Sequence, residues 1–292
     1  MKLAVRHVTT YAYEPKVSAV AMRLKLFPSV FEGQRPLDWR VTLNGREAKA
    51  DFVNGYGDGV ATLFLRGGVE AVEVVAEGTV ETHDLAGVLR GHRAPLKPGV
   101  CLRETPRTRA DAAIAALARE ADAQGGGPLA RAHALQDLVT ARIAYEPGSS
   151  DAGATAAAAL AAGKGVCQDH AHVLIAAARS LGWPARYVAG YYLPSPEGAD
   201  DLATHAWGEI WVEGLGWVGF DPANDLCPTD AYIRLCSGLD AGDAAPIRGH
   251  ADGVAAEVMT AKVSITPAPT AGQSQSQSPG QSPGHSQSQS RK

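Results

Sequence analysis

The chain has 292 residues, 45% of them hydrophobic and 20% charged, with a formal net charge of −4. That balance describes a globular protein long enough for one large or two ordinary domains. No cluster of Lys and Arg is present that would track a phosphate backbone, so nucleic acid is not an expected partner.

The opening residues MKLAVRHVTTYAYEP lack the apolar centre of a secretory signal, and no run approaches the roughly eighteen apolar residues of a membrane helix. The four cysteines, Cys101, Cys167, Cys227 and Cys236, are too scattered for a disulfide framework. A cytoplasmic protein with reduced cysteines and no membrane contact is the expectation.

Residues 1–87 read as sheet. In LDWRVTLNG, Leu37, Trp39, Val41 and Leu43 alternate with other residues, and Asn44-Gly45 marks a turn. Further short runs begin at Met22, Val60 and Val69, and this spacing suggests an antiparallel sandwich or barrel-like domain. Residues 88–105, with Pro95 and Pro98, read as a linker. Helical patterns follow. In RADAAIAALAREA, Ala113, Ile114, Leu117 and Ala121 share one face, with Thr108 or Asp111 near the start. A second helix is expected over Leu129–Ile143, a short alanine-rich piece ending near Gly163, and a long helix after Cys167 that stops at Gly182 and Trp183-Pro184. ARYVAGYYL, THAWGEIWVEG and LGWVGFDPAN then read as three strands. From Ala268 the composition collapses to Gln, Ser, Pro and Gly, so 268–292 is expected to be disordered and His285 to carry no function.

Cys167 is singled out by its place. A cysteine beside an apolar helix is most often a small buried hydrophobe, the reading given to Cys101, Cys227 and Cys236. Cys167 falls in the first turn of the expected helix, where unpaired N–H groups and the dipole stabilise a thiolate. A metal site fits poorly. His170 and His172 are two residues apart, about 200° around a helix, so they point in opposing directions. No C-x-x-C or H-E-x-x-H motif completes a zinc site.

A nucleophilic thiol needs a base and an orienting group. On a strand, His205, Trp207, Glu209 and Trp211 share one face. Asp221 ends the next strand, before Pro222, within a hairpin's reach of His205.

Three motifs, GVCQDxAH from Gly165, HAWxExW from His205 and GWxxFDPxN from Gly216, resemble the transglutaminase-like superfamily in bacteria, and the first hundred residues are similar to the β-rich N-terminal region that accompanies it. His170, Gly208 and Ala223 depart from the residues usual there. The resemblance implies an α+β fold with a papain-like core over 106–267, its nucleophile helix packed on an antiparallel sheet. It assigns Cys167 as nucleophile, His205 as base and acid, and Asp221 as the orienting carboxylate.

The implied chemistry is acyl transfer from an amide of a peptide or protein through a thioester, by hydrolysis or by amine transfer, with no cofactor or metal. The Cys167 N–H is the first oxyanion donor, with Gln168 and Trp207 as further oxyanion or binding candidates. Asp169 either supports the helix dipole or opposes a thiolate. The alternative is a catalytically idle protein-binding module on the same fold.

Overall fold

The computed structural model describes residues 1–151, 153–194, 197–202, 204–253 and 256–268. The tail over 269–292, expected to be disordered, lies outside the described residues, as does His285.

The first part is β1 (Lys2–Leu24), β2 (Gln34–Pro36), β3 (Arg40–Leu43), β4 (Arg46–Ala48), β5 (Phe52–Val53) and β6 (Gly59–Thr82). After a 3₁₀ turn at Pro98–Leu102 come α1 (Ala112–Ala123), α2 (Pro128–Arg142), β7 (Ala144–Tyr145), α3 (Ala156–Ala162), β8 (Lys164–Gly165) and α4 (Cys167–Ser180). The chain then runs through β9 (Ala185–Tyr192), β10 (Ala199–Leu202), β11 (His205–Val212), β12 (Gly216–Phe220), β13 (Tyr232–Gly238), β14 (Ile247–Asp252) and β15 (Ala256–Pro267). Among the described residues, no helix is long and apolar enough to cross a membrane.

The separate runs read in the first hundred residues belong to longer strands. β1 and β6 pair antiparallel along nearly their whole length, with register breaks near Val17. Opposite those breaks, Gly67 and Gly68 adopt φ of 98° and 80°, a backbone shape open to glycine because it lacks Cβ. The runs from Val60 and Val69 are therefore two halves of one strand. Strand β1 alternates as a half-buried strand must, with Leu3, Val5, His7, Thr9, Tyr11 and Tyr13 turned inward.

The other edge of β1 is covered from the far end of the chain. β15 pairs with Leu3–Glu14 and β14 with Ala19–Leu24. Residues 247–267, grouped above with the stretch 106–267, thus complete the first sheet, and their pairing satisfies an edge that would otherwise present open N–H and C=O groups. The stretch 88–105 is also tied down. Leu89 donates its N–H to the Trp217 carbonyl at 2.9 Å, and the carbonyl of buried Cys101 accepts from Arg179 Nε at 2.8 Å.

In the second part, α1 starts where Asp111 accepts from the Ile114 N–H at 2.9 Å, and α3 stops at left-handed Gly163. Helix α4 is the hub: Val173 through Ala178 are all buried. It packs on the antiparallel sheet β12-β11-β9-β13. Gly208 lets it lie close, since a Cβ there would come within 2.8 Å of Leu174 Cδ2.

Cross-strand register sorts the sheet into two faces. Ala206 sits opposite Ala189 and Gly208 opposite Tyr187, whereas His205, Trp207 and Glu209 sit opposite Gly190, Val188 and Arg186. The first set faces α4. On the other face, Glu209 accepts from Arg186 Nε at 2.6 Å and Arg234 Nε at 2.8 Å. Burial alone would raise its carboxyl pKa, but the two guanidiniums outweigh that and hold it at about 2. Arg234 also reaches Ser29 Oγ at 2.7 Å, and its backbone N–H meets Gln34 Oε1 at 2.7 Å, so the cluster joins the two sheets.

Glu209→Leu should lower stability by about 3–5 kcal/mol, because it leaves buried Arg186 without a carboxylate and Arg234 with Asp58 alone. The urea midpoint reads this, and a midpoint equal to that of the wild-type protein would show that the cluster does not hold the sheets together.

Candidate active site

The head of α4 is built by local sequence. Asp169 Oδ2 accepts from the Val166 N–H at 2.8 Å and from the Ser150 hydroxyl. A Cβ at Gly165 would fall 2.6 Å from Asp169 Cβ, so glycine permits that return. Asp169 is fully buried and serves as the support of the helix start. Cys167 is then the first helical residue, half-buried, on the wall of a cleft of about 690 Å³.

His205 and Gln168 line the same cleft. His205 hydrogen-bonds Asp221, and it interacts electrostatically with Cys167. Its Nε2 lies 2.6 Å from Asp221 Oδ2, which leaves Nδ1 for the sulfur. Burial would lower the imidazole pKa, but the interactions with Asp221 and Cys167 prevail and raise it to about 9. The structure therefore brings Cys167, His205 and Asp221 into one contiguous series.

Asp221 is wholly buried and its oxygens are crowded with donors. Oδ2 accepts from Tyr232 Oη at 2.7 Å and Asn224 Nδ2 at 2.8 Å, and Oδ1 from the Ala223 N–H at 3.1 Å. Desolvation works against its charge, but the bonds from His205, Tyr232 and Asn224 overcome it and keep the carboxyl below its ordinary value. Burial and the adjacent carboxylate push the Tyr232 hydroxyl far above the phenol range, so it stays a donor. Tyr232 comes from β13, a strand that carries no evident motif. Asn224 stood inside the third motif without a role.

Trp207, expected as an oxyanion or binding candidate, is placed elsewhere. It is buried behind His205, its ring stacked at 6.2 Å, in a cluster with Val188 and Tyr232, and it is not among the residues lining the cleft. The reason is strand geometry: it shares the face of His205 but lies two residues further into the sheet. His170 does not compete for the thiol, since its ring nitrogens each sit 2.9 Å from the carbonyl oxygens of Val166 and Ile143. His172 is buried and accepts from the Ala241 N–H at 3.1 Å. Among the described residues, no three His, Cys, Asp or Glu side chains converge to hold a metal.

Comparison with known proteins can be set beside this arrangement of a thiol at a helix head, an imidazole at a strand start and a buried acid. Residues 115–222 match the family model described as the transglutaminase-like superfamily, and residues 3–81 match the bacterial transglutaminase-like N-terminal region. The two matched stretches correspond largely to α1–β12 and to β1–β6. It is 28% identical over 277 residues to an uncharacterized protein of Mycobacterium leprae, covering 91% of this chain and 98% of the other. An uncharacterized protein of Mycobacterium tuberculosis is 37% identical over 127 residues, 39% of this chain and 40% of that one. Among solved structures, one titled "Putative Cysteine Protease" from Cytophaga hutchinsonii shares the fold at a TM-score of 0.69, with 22% identity and 92% of each chain covered.

Tyr232→Phe should leave the fold intact and raise the His205 titration above about 9 by about half a unit, because Asp221 then loses one neutralising hydrogen bond. NMR titration of the imidazole reads the shift, and an unmoved value would show that Tyr232 only fills space.

Proposed function

We propose that the protein is a cysteine-dependent acyl-transfer enzyme that acts on amide bonds of peptides or proteins. The observation that carries this reading is that Cys167 and His205 line one open cleft while His205 is hydrogen-bonded from behind to buried Asp221.

In this reading His205 carries, as imidazolium, the proton given up by the Cys167 thiol, and the sulfur attacks the amide carbonyl carbon. The resulting oxyanion is met by the Cys167 N–H, an unpaired donor in the first turn, with Gln168 beside it on the cleft wall. His205 then gives its proton to the amide nitrogen, the C–N bond breaks and a thioester remains. Water or a primary amine, deprotonated by His205, attacks that thioester and returns the sulfur. Asp221 stays ionised throughout and compensates the imidazolium. The cleft is open to solvent, so the second acceptor is set by what diffuses in; the triad serves water and amine alike.

Three results test the proposal. Cys167→Ala should abolish turnover of peptide amides while retaining the wild-type melting temperature; full activity in that variant would end it. Incubation with a peptide library, with and without a primary amine, should give either cleaved chains or amine adducts by mass spectrometry.

The pH profile follows from His205. Below about 9 the imidazole holds the proton that the leaving nitrogen needs, and above it that proton is lost. Turnover should therefore fall on an alkaline limb near pH 9, and a limb near the ordinary imidazole value of about 6.5 would contradict the pairing.

A further inference from the structure

The cleft beside Cys167 has an unusual lining. Lysine, arginine, aspartate and glutamate are absent from the described residues that form it. Its deep end lies on the α4 side of the sheet, where Ala189 and Ala206 stand directly opposite each other across β9 and β11. Both are nearly buried, as is Ala244, while Ala241, Ala245 and Pro246 are half-buried and form the rim. These alanines present only methyl groups to the cleft beside the nucleophile.

A polar group stands beside these alanines. Tyr187 is the next residue inward from Ala189 on the same face of β9 and lines the cleft, though only 5% of it is exposed. Its ring packs against His172 at 5.2 Å, which fixes its direction. Its hydroxyl has no hydrogen-bond partner among the described residues. Burial, followed by the nearby Cys167, pushes it well above the phenol range, so it remains an O–H donor. The hydroxyl faces the cleft, so an occupant that displaces solvent from it must supply an acceptor or leave the donor unpaired.

We propose that this pocket is a specificity subsite for an uncharged substrate side chain that carries a hydrogen-bond acceptor, with the Tyr187 hydroxyl as its donor. The proposal rests on the acyl-transfer reading of the same cleft. A charged side chain would lose its hydration there and find no opposite charge on the walls. The positive charge of His205 does not offer one, since it is already matched by Asp221 at 2.6 Å. An apolar side chain would fit the alanines but leave the Tyr187 hydroxyl unsatisfied. Discrimination by a single buried polar group is the way sites reject analogues that lack the matching atom.

The test uses fluorescent peptides that differ only at the residue next to the target amide. Asn, Leu and Asp have nearly the same shape and differ in acceptor and charge, and Lys adds the opposite charge. Equilibrium binding is measured to the full-length Cys167→Ala protein, and turnover separately to the unaltered protein. Binding of the Asn peptide should exceed that of the Asp and Lys peptides by about tenfold or more, and that of the Leu peptide by about fivefold. Tyr187→Phe should erase the Asn-over-Leu preference without restoring Asp or Lys.

Equal binding of charged and neutral peptides, an unchanged Asn-to-Leu ratio in Tyr187→Phe, or no binding of any peptide would each overturn the subsite. Selective binding without turnover in the unaltered protein would uphold the subsite and refute the acyl-transfer reading instead. Turnover without selectivity would do the reverse.

Discussion

A single buried carboxylate holds the architecture in register. Glu209 sits on β11 with an arginine from each of β9 and β13 against its oxygens, and Arg186 further stacks its guanidinium over Trp217 at 4.1 Å. Charges of this kind tolerate no misalignment, because a shift of one residue along β11 would turn the carboxylate to the α4 face and leave the cations behind. The same register that satisfies Glu209 carries His205 to the strand start and Ala206 to the cleft wall. The geometry of the candidate site is therefore fixed from a distance of four residues, by a group that does not line the cleft. Through Arg234 it also depends on Ser29 and Gln34, so the first sheet helps to hold the site.

The candidate triad illustrates how opposing terms set charge. Desolvation disfavours ions at both His205 and Asp221, yet each carries its charge because the other lies 2.6 Å away. Tyr232 and Asn224 share the load on the Asp221 oxygen and leave the acid no reason to take up a proton. Trp207 closes off the back of the imidazole. The imidazole is thus held by Asp221 at one edge and by Trp207 behind, with its Nδ1 left toward the thiol.

Much of this was legible in the sequence, for definite reasons. Cys167, His205 and Asp221 were recoverable because each stands at an element boundary marked by local signals: a glycine turn before the helix, an alternating strand, an aspartate before proline. Asp111 and Gly163 were legible as helix ends on the same grounds. Contacts made across long separations left no such mark. Tyr232 reaches Asp221 only because β13 pairs with β9, and nothing local announces that pairing. Trp207 does share the face of His205 but does not reach the cleft, since alternation tells which face a residue shares but not how far along the strand the cleft extends. The two halves of β6 read as separate strands because Gly67-Gly68 looks like a turn in sequence and is a break in register in space.

The return of β15 to β1 has a consequence for how the molecule is made. During synthesis β1 and β6 emerge first and can pair at once, whereas the other edge of β1 stays open until residue 267 has left the ribosome. The whole helical core with its thiol is produced in that interval. An exposed strand edge is adhesive, so the rate at which the middle of the chain folds governs how long the nascent protein remains at risk of pairing with a neighbour.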